Sequence, residues 1–186
     1  MNDLLQAALE VQSFCDARGW RSCVIGGLAV LRWGEPRVTR DVDLTLMTGF
    51  GNEAEHVDAL LKEFAPRIES ARQLAREARM LILNSSGGIG IDISLGALPF
   101  EELAVQRSSL FSFAPGIAIR TCSAEDLIVM KLFASRPIDL HDAETIVIRS
   151  GPTLDWNYME EQLTPLAEIK DPSILATLSR LKTLLG

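Results

Sequence analysis

Two aspartates that lie two residues apart, Asp41 and Asp43, carry the strongest chemical signal in this sequence. They fall in residues 41–46 (DVDLTL), where polar and apolar residues alternate with a period of two, which predicts a strand with one buried face. Residues two apart on a strand project to the same side, so the two carboxylates would repel each other unless a cation lay between them. Oxygen ligands of this kind suit Mg²⁺, especially when substrate phosphates complete its octahedron.

A third aspartate, Asp92, lies within a second segment of alternating residues, 89–95 (IGIDISL). This pattern again predicts a strand with one buried face. If the two strands are neighbours in a sheet, the three carboxylates converge on one point and form a candidate metal site.

A pair of glycines, Gly26 and Gly27, stands where an apolar segment over residues 20–25 meets an amphipathic stretch over 28–33. Glycines at a junction between strand and helix let a phosphate approach the backbone closely. The N-terminus of the following helix offers backbone N–H groups and the positive end of the helix dipole. The junction is therefore a candidate phosphate-binding site.

These segments resemble the nucleotidyltransferases of the polymerase-beta superfamily, and in finer detail the AbiEii/AbiGii-type members. The resemblance covers about residues 20 to 145. Its motifs in this sequence are GGLA (26–29), TRDVDL (39–44), a helical lysine in VMKLFA (129–134) and RPIDLHD (136–142). It implies an α/β (α+β) polymerase-beta-like fold, with a mixed sheet flanked by helices and a short C-terminal helical part.

The resemblance also implies roles for particular side chains. Two Mg²⁺ ions, or Mn²⁺ in their place, would lie at the three aspartates, and Asp92 would help to activate the attacking hydroxyl. The implied catalytic and metal-binding residues are Asp41, Asp43 and Asp92. Arginines that flank the carboxylate strand could also pair with phosphates. The expected nucleotide-binding residues are Gly26, Gly27, Arg37, Thr39, Arg40, Lys131 and Asp139.

The implied activity is metal-dependent transfer of a nucleoside monophosphate from a nucleoside triphosphate (NTP) to a hydroxyl, with release of pyrophosphate. The acceptor would be the 3′ end of a tRNA or a protein, and the chain would be the toxin of a toxin–antitoxin or phage-defence system with a cognate antitoxin. Two alternatives stay open. One is a catalytically silent nucleotidyltransferase fold that serves as a binding or regulatory partner. The other is a small-molecule nucleotidyltransferase of the kind that modifies antibiotics.

Several of these residues have ordinary structural explanations. Glycines mark turns generally, and paired aspartates can line a solvent-facing strand edge. Lys131 is either a surface lysine or a buried one that needs an anionic partner. Asp139 and Asp142 share a helix face, but acids near a helix N-terminus are common. We expect His141 to lie on the surface.

The densest basic cluster comprises four arginines in a charged stretch: Arg67, Arg72, Arg76 and Arg79. We expect a solvated helix face there; the alternative is a surface that contacts the phosphates of an RNA acceptor.

The whole chain has 18 Lys and Arg against 25 Asp and Glu among 186 residues, a net charge of −7. This balance argues against binding to duplex nucleic acid through a basic face, but an acceptor end that meets bound metal ions remains compatible with it.

The elements that must position these residues follow from hydrophobic periodicity. The pattern predicts a mixed α/β core over residues 1–120 and a C-terminal helical part over 121–186. No apolar run is long enough to span a membrane, and the first residues lack the pattern of a signal peptide. Three cysteines without CxxC spacing fit buried thiols in a reducing compartment, so we expect a cytoplasmic protein. Helices are predicted over 4–18, 28–33, 52–64, 99–107, 124–133, 138–149 and 173–185, and strands over 20–25, 41–46, 80–83, 89–95 and 117–120.

Overall fold

A computed structural model describes residues 2–185 as nine α-helices and seven strands, with short 3₁₀ turns at Gly151–Thr153 and Thr183–Leu185. The helices are α1 (Asn2–Asp16), α2 (Gly26–Trp33), α3 (Glu53–Glu63), α4 (Ala71–Ala78), α5 (Pro99–Gln106), α6 (Ala124–Ala134), α7 (Pro137–Ser150), α8 (Trp156–Lys170) and α9 (Ser173–Lys182). The strands are β1 (Ser22–Val24), β2 (Asp41–Met47), β3 (Ala65–Pro66), β4 (Met80–Asn84), β5 (Gly90–Gly96), β6 (Ser109–Ala114) and β7 (Ile117–Thr121).

All seven strands form one mixed sheet in the order β3-β4-β5-β2-β1-β7-β6. β2 pairs with β5 in parallel, as β1 does with β7, and every other described pair is antiparallel. Helices α1 and α5 pack against the central strands β1 and β2, and α4 packs against β4. The predicted mixed sheet with flanking helices is therefore confirmed.

Buried and partly exposed side chains alternate along the central strands β2 and β5, which explains why these segments form strands with one apolar face. Along β2, Val42 and Leu44 are fully buried while Asp41 and Asp43 are partly exposed. Along β5, the flanking isoleucines are fully buried while Asp92 is partly exposed. Burying several such aliphatic side chains stabilises a strand by about 1.5–3 kcal/mol each. This apolar face fixes the register, and the register in turn fixes where the aspartates project.

The chain divides into two compact units. The first unit comprises the described residues up to Leu28 together with Val38–Cys122, and it contains the whole sheet. The second comprises Ala29–Arg37 together with the described residues from Ser123 onward. The division of the domains at residue 120 stays a prediction.

Helix α6 is the centre of the second unit and packs against α7, α8 and α9. Ser123 is its N-cap, and the Ser123 hydroxyl accepts a hydrogen bond from the Asp126 N–H at 3.1 Å. The Asp126 side chain is buried and accepts a hydrogen bond from the Tyr158 hydroxyl of α8 at 2.6 Å. A polar contact thus links the first turns of two helices in this helical unit.

Three elements lie where no helix or strand was predicted: α8, β3 and β6. The apolar stripe of α8 is narrow, with buried Met159, Leu163 and Ala167, and Pro165 interrupts its sequence pattern. β6 is an edge strand with little burial on either face, so its sequence lacks alternation.

All three cysteines are buried, as expected. Among the described helices, none has the length and apolar character needed to cross a membrane.

Candidate active site

The three predicted aspartates lie on two adjacent parallel strands of the first unit. Asp43 of β2 is directly opposite Asp92 of β5, and Asp41 is opposite Gly90. The expectation that the two strands are neighbours is confirmed. Since side chains alternate along a strand, Asp41, Asp43 and Asp92 all project from one face of the sheet. Asp41 is more open than Asp92, with 47% of its side chain exposed against 25%.

The glycine pair begins helix α2 and makes room for two polar side chains. Gly26 has φ +60°, and a Cβ there would overlap the Asp43 carboxylate. A Cβ at Gly27 would lie 2.5 Å from the Thr39 hydroxyl oxygen. The Gly27 N–H donates to Asp43 Oδ2 over 3.4 Å, a long and weak hydrogen bond. Here the glycines let the start of α2 and the carboxylate strand come together; their contact with a phosphate stays a prediction.

Arg67, which was not predicted as a site residue, bridges two of the three carboxylates. Its guanidinium donates to Asp41 Oδ1 at 3.3 Å through Nη1 and to Asp92 Oδ1 through Nη2. Its backbone N–H donates to the Ile82 carbonyl at 3.1 Å, which anchors the residue beside β4. A Cβ at Gly90 would overlap both Arg67 and Asp41, so the glycine is needed for this bridge.

The carboxylates share one face but do not form a finished group of ligands. Within residues 2–185, no three Asp, Glu, His or Cys side chains are grouped closely enough to hold a metal ion. The physical reason is charge repulsion: Arg67 occupies the space between Asp41 and Asp92, while Asp43 faces the Gly27 N–H. An all-oxygen set of this kind fits Mg²⁺ or Mn²⁺ in donor chemistry. Burial raises the pKa of Asp92, opposed by the charge of Arg67 and assisted by that of Asp41.

The arginine-rich stretch does not form the single solvated helix face expected from the sequence. Only Arg72 and Arg76 lie on α4, because the helix ends before Arg79, which takes the left-handed conformation at φ 54°. Arg79 donates to the Leu95 carbonyl through Nε at 2.8 Å and pairs with Glu53. The stretch therefore holds separate contacts, and three of its arginines already pair with acids of this chain: Arg67, Arg72 and Arg79.

The second unit contains a buried charge cluster built around Lys131. The Lys131 ammonium lies 2.9 Å from Asp139 Oδ1 and 2.9 Å from Asp142 Oδ2. Each aspartate also receives an arginine: Arg136 donates to Asp139 at 2.5 and 3.1 Å, and Arg37 donates to Asp142 at 2.7 and 2.9 Å. Lys131 is thus buried with anionic partners, which decides between the two alternatives for this residue.

At both aspartates of this cluster, hydrogen bonds and nearby positive charges lower the pKa more than burial raises it. Burial alone would raise the pKa of Asp139, but hydrogen bonds and charge from Arg136 and Lys131 hold its pKa below the ordinary value. The pKa of Asp142 is lowered in the same way, against the effect of burial, by Arg37 and Lys131. Both carboxylates are therefore ionised at neutral pH.

The structure also places the remaining sequence candidates. Arg37 pairs with Asp142 in the second unit, whereas Thr39 lies in the first and donates from its hydroxyl to the Asp41 carbonyl at 3.4 Å. Arg40 is exposed. His141 is exposed, as expected. Three residues that contact the candidates were not among the predicted site residues, although the RPIDLHD motif contains the last two: Arg67, Arg136 and Asp142.

The family comparison covers the segment that contains both groups of charged residues. A family model described as "Nucleotidyl transferase AbiEii toxin, Type IV TA system" matches residues 24–155, more than half of the chain. The chain belongs to this AbiEii family. The matched range contains both the carboxylate strands and the Lys131 cluster, and it stops before α8. The AbiEii chain is therefore a nucleotidyltransferase.

Solved structures show the same fold at low sequence identity. A crystal structure of an antigenic nucleotidyltransferase-like protein from Paracoccidioides brasiliensis is 16% identical, with a TM-score of 0.51 over 95% of this chain and 93% of that one. The solution structure of the antibiotic-resistance factor ANT(2″)-Ia is also 16% identical, with a TM-score of 0.57 over 90% and 92%. A search of curated proteins gave no significant match. The nucleotidyltransferase fold implied by the resemblance is confirmed.

Proposed function

We propose that this AbiEii-family enzyme moves a nucleoside monophosphate from an NTP to a hydroxyl group and depends on two divalent metal ions. The ions would be Mg²⁺, or Mn²⁺ in its place, held by Asp41, Asp43 and Asp92. The register of β2 and β5 carries the proposal, because it places Asp43 opposite Asp92 with Asp41 on the same face. Carboxylates on neighbouring strands gain little packing from such an arrangement, and a cation relieves their repulsion.

The residues of the first unit have distinct parts in this proposal. Backbone N–H groups in the first turn of α2, from Gly26 onward, would bind the triphosphate, as the free N–H groups at a helix N-terminus bind anions. Bound Mg²⁺ would neutralise the charge of the nucleotide phosphates and of the leaving pyrophosphate. Asp92 completes the ligand set and helps to activate the attacking hydroxyl. Thr39 and the exposed Arg40 lie beside the carboxylate strand and complete the phosphate-binding residues.

The other predicted nucleotide-binding residues, Arg37, Lys131 and Asp139, lie in the second unit. They belong to a cluster of three cationic and two anionic side chains. We infer a role in phosphate binding for Lys131 and Arg37 because cationic side chains pair with phosphates. Asp139 orients Lys131 through the 2.9 Å ion pair.

For the acceptor we propose the 3′ end of a tRNA, and for the partner a cognate antitoxin, since the family is described as toxins of type IV toxin–antitoxin systems. A cationic small molecule with a hydroxyl group is a second candidate acceptor. The pairing of three arginines with acids of this chain favours it, because Arg67, Arg72 and Arg79 are then less available to contact RNA phosphates. ANT(2″)-Ia, which shares the fold, is described as an antibiotic-resistance factor.

The test is transfer of label from each of the four α-³²P-NTPs in Mg²⁺, with total RNA in one reaction and an aminoglycoside in another. Label on RNA supports the tRNA acceptor, and label on the aminoglycoside supports the small molecule. In either case, Asp41→Ala is expected to reduce transfer to about a thousandth or less, because it removes a metal ligand.

The matched control is Asp58→Asn, which alters an exposed carboxylate that pairs with Arg72 on the helical surface. It should retain the wild-type rate. Absence of transfer to RNA, protein and aminoglycoside with every NTP would refute the proposal. An Asp41→Ala enzyme that kept the wild-type rate would refute the assigned metal site.

A further inference from the structure

The guanidinium of Arg67 lies at the oxygens that a metal ion would need. It contacts Asp41 Oδ1 and Asp92 Oδ1, one oxygen from each of the two strands. Among the described residues, these are the only side-chain groups with which Arg67 forms hydrogen bonds or ion pairs. A divalent ion between the same carboxylates would lie close to the guanidinium, and like charges at that distance repel strongly.

The backbone of Arg67 is anchored, whereas its side chain is free to change rotamer. The backbone is anchored by the 3.1 Å hydrogen bond to the Ile82 carbonyl and follows the two-residue strand β3. The side chain is 31% exposed, and the next residue, Ile68, is exposed as well. The guanidinium can therefore leave the carboxylates by side-chain rotation into solvent, without rearrangement of the sheet.

The charges also favour this bridge when metal is absent. Asp41 and Asp92 share a single guanidinium, so this pair of carboxylates keeps one negative charge in excess. Removing Arg67 would leave Asp41 and Asp92 facing each other across neighbouring strands without a counter-charge. Gly90, which lies opposite Asp41, leaves the space that the bridge occupies.

We propose that Arg67 is an internal counter-cation that holds Asp41 and Asp92 in the metal-free enzyme and competes with the divalent ion for the same oxygens. This inference rests on the metal site of the proposed function. Arg67 acts through the carboxylates and is thus a positioning residue. Only molecules with an open bridge can bind the ion. The apparent metal affinity is therefore reduced to the fraction of molecules in which the bridge is open.

The test is Mn²⁺ binding by the full chain, measured by electron paramagnetic resonance of the free ion. Arg67→Gln keeps a long polar side chain but removes the charge. If the bridge is formed in nine molecules of ten, this variant binds Mn²⁺ about 10-fold more tightly than the wild type. Arg67→Lys keeps the charge but not the two-pronged geometry, and it should give an intermediate affinity. Arg72→Gln, which breaks the exposed pair with Asp58, is the matched control and should bind as the wild type does.

Thermal unfolding gives a second measurement that needs no activity. In EDTA, Arg67→Gln should unfold a few degrees below Arg72→Gln, because its carboxylates repel without a counter-charge. Saturating Mn²⁺ should remove that difference. A purely structural role would leave the variant destabilised in both conditions.

The outcomes separate this inference from the proposed function. Equal Mn²⁺ affinities for the wild type and Arg67→Gln, or weaker binding by the variant, would overturn the competition and leave the metal site standing. Absence of Mn²⁺ binding by every variant would overturn both. Circular dichroism shows whether Arg67→Gln folds. If it does not, the Mn²⁺ affinity of Arg67→Lys is the test, and an affinity equal to that of the wild type would overturn the proposed competition.

Discussion

Two groups of charged side chains use the same residue types in opposite ways. The group in the first unit has three aspartates and one arginine, and its side chains are partly exposed. The group in the second unit has two aspartates, one lysine and two arginines, and its lysine and aspartates are almost completely buried. Acidic side chains outnumber basic ones in the first group, whereas the two kinds are nearly balanced in number in the second.

This difference explains what each group can do. Burial of Lys131, Asp139 and Asp142 is tolerable only because every charge has a partner at hydrogen-bond distance. Partial exposure at Asp41 and Asp92 lets water screen the uncompensated charge until a cation arrives. The second group is therefore held together by its own ion pairs, and the first leaves its carboxylates open to a cation.

The largest effect expected from breaking the second group is on stability. Lys131→Met should lower the free energy of unfolding by about 3–5 kcal/mol, because it leaves two buried carboxylates without their shared ammonium. Urea unfolding followed by circular dichroism measures this. Lys62→Met, at an exposed lysine of α3, is the control and should change stability by less than about 0.5 kcal/mol. Equal effects of the two substitutions would contradict the structural role of the cluster.

A smaller effect is expected on the pH dependence of stability. The pKa values of Asp139 and Asp142 are lowered in the folded protein, so their contribution is complete above the ordinary carboxyl pKa and is lost as the pH falls through the folded values. Urea unfolding at several pH values from 7 down to about 3 should show decreasing stability below about pH 4. Asp142→Asn removes one of the two groups, so its profile should be less steep. An unchanged slope in this variant would argue against the lowered pKa.

The smallest effect concerns the first group. Asp41→Ala, which is expected to abolish transfer, should change the free energy of unfolding in EDTA by less than about 1 kcal/mol, because Asp41 is half exposed and its pair with Arg67 is long. The same urea measurement at neutral pH checks this. A loss comparable to that of Lys131→Met would mean that the carboxylate group is a structural network as well.

The central strands and the carboxylate pattern were predictable because they depend on local alternation. The pattern DVDLTL specified a strand with its aspartates on one face, and the second strand followed from the same period around Asp92. Their adjacency was an assumption that the parallel register confirms. The cap at Ser123 was predictable for the same reason, since its partner lies three residues away.

Features that depend on distant contacts were not predictable. Arg67 meets Asp41 and Asp92 across gaps of 26 and 25 residues, and nothing in its neighbouring sequence distinguishes it from the other arginines. Whether Lys131 was buried depended on partners in another helix, so the sequence alone left two alternatives. Edge strand β6 and helix α8 lack the periodic apolar face on which such predictions rest.

The space above Gly90, which Asp41 and Arg67 occupy, has a practical consequence for protein engineering. Glycine inside a strand is a usual target for stabilising substitution, because β-branched residues favour extended backbone. At Gly90, however, a valine would fill the gap shared by Asp41 and Arg67. Selection of variants for heat resistance alone could therefore retain a valine that abolishes activity. A screen of variants of this chain should measure transfer activity as well as melting temperature.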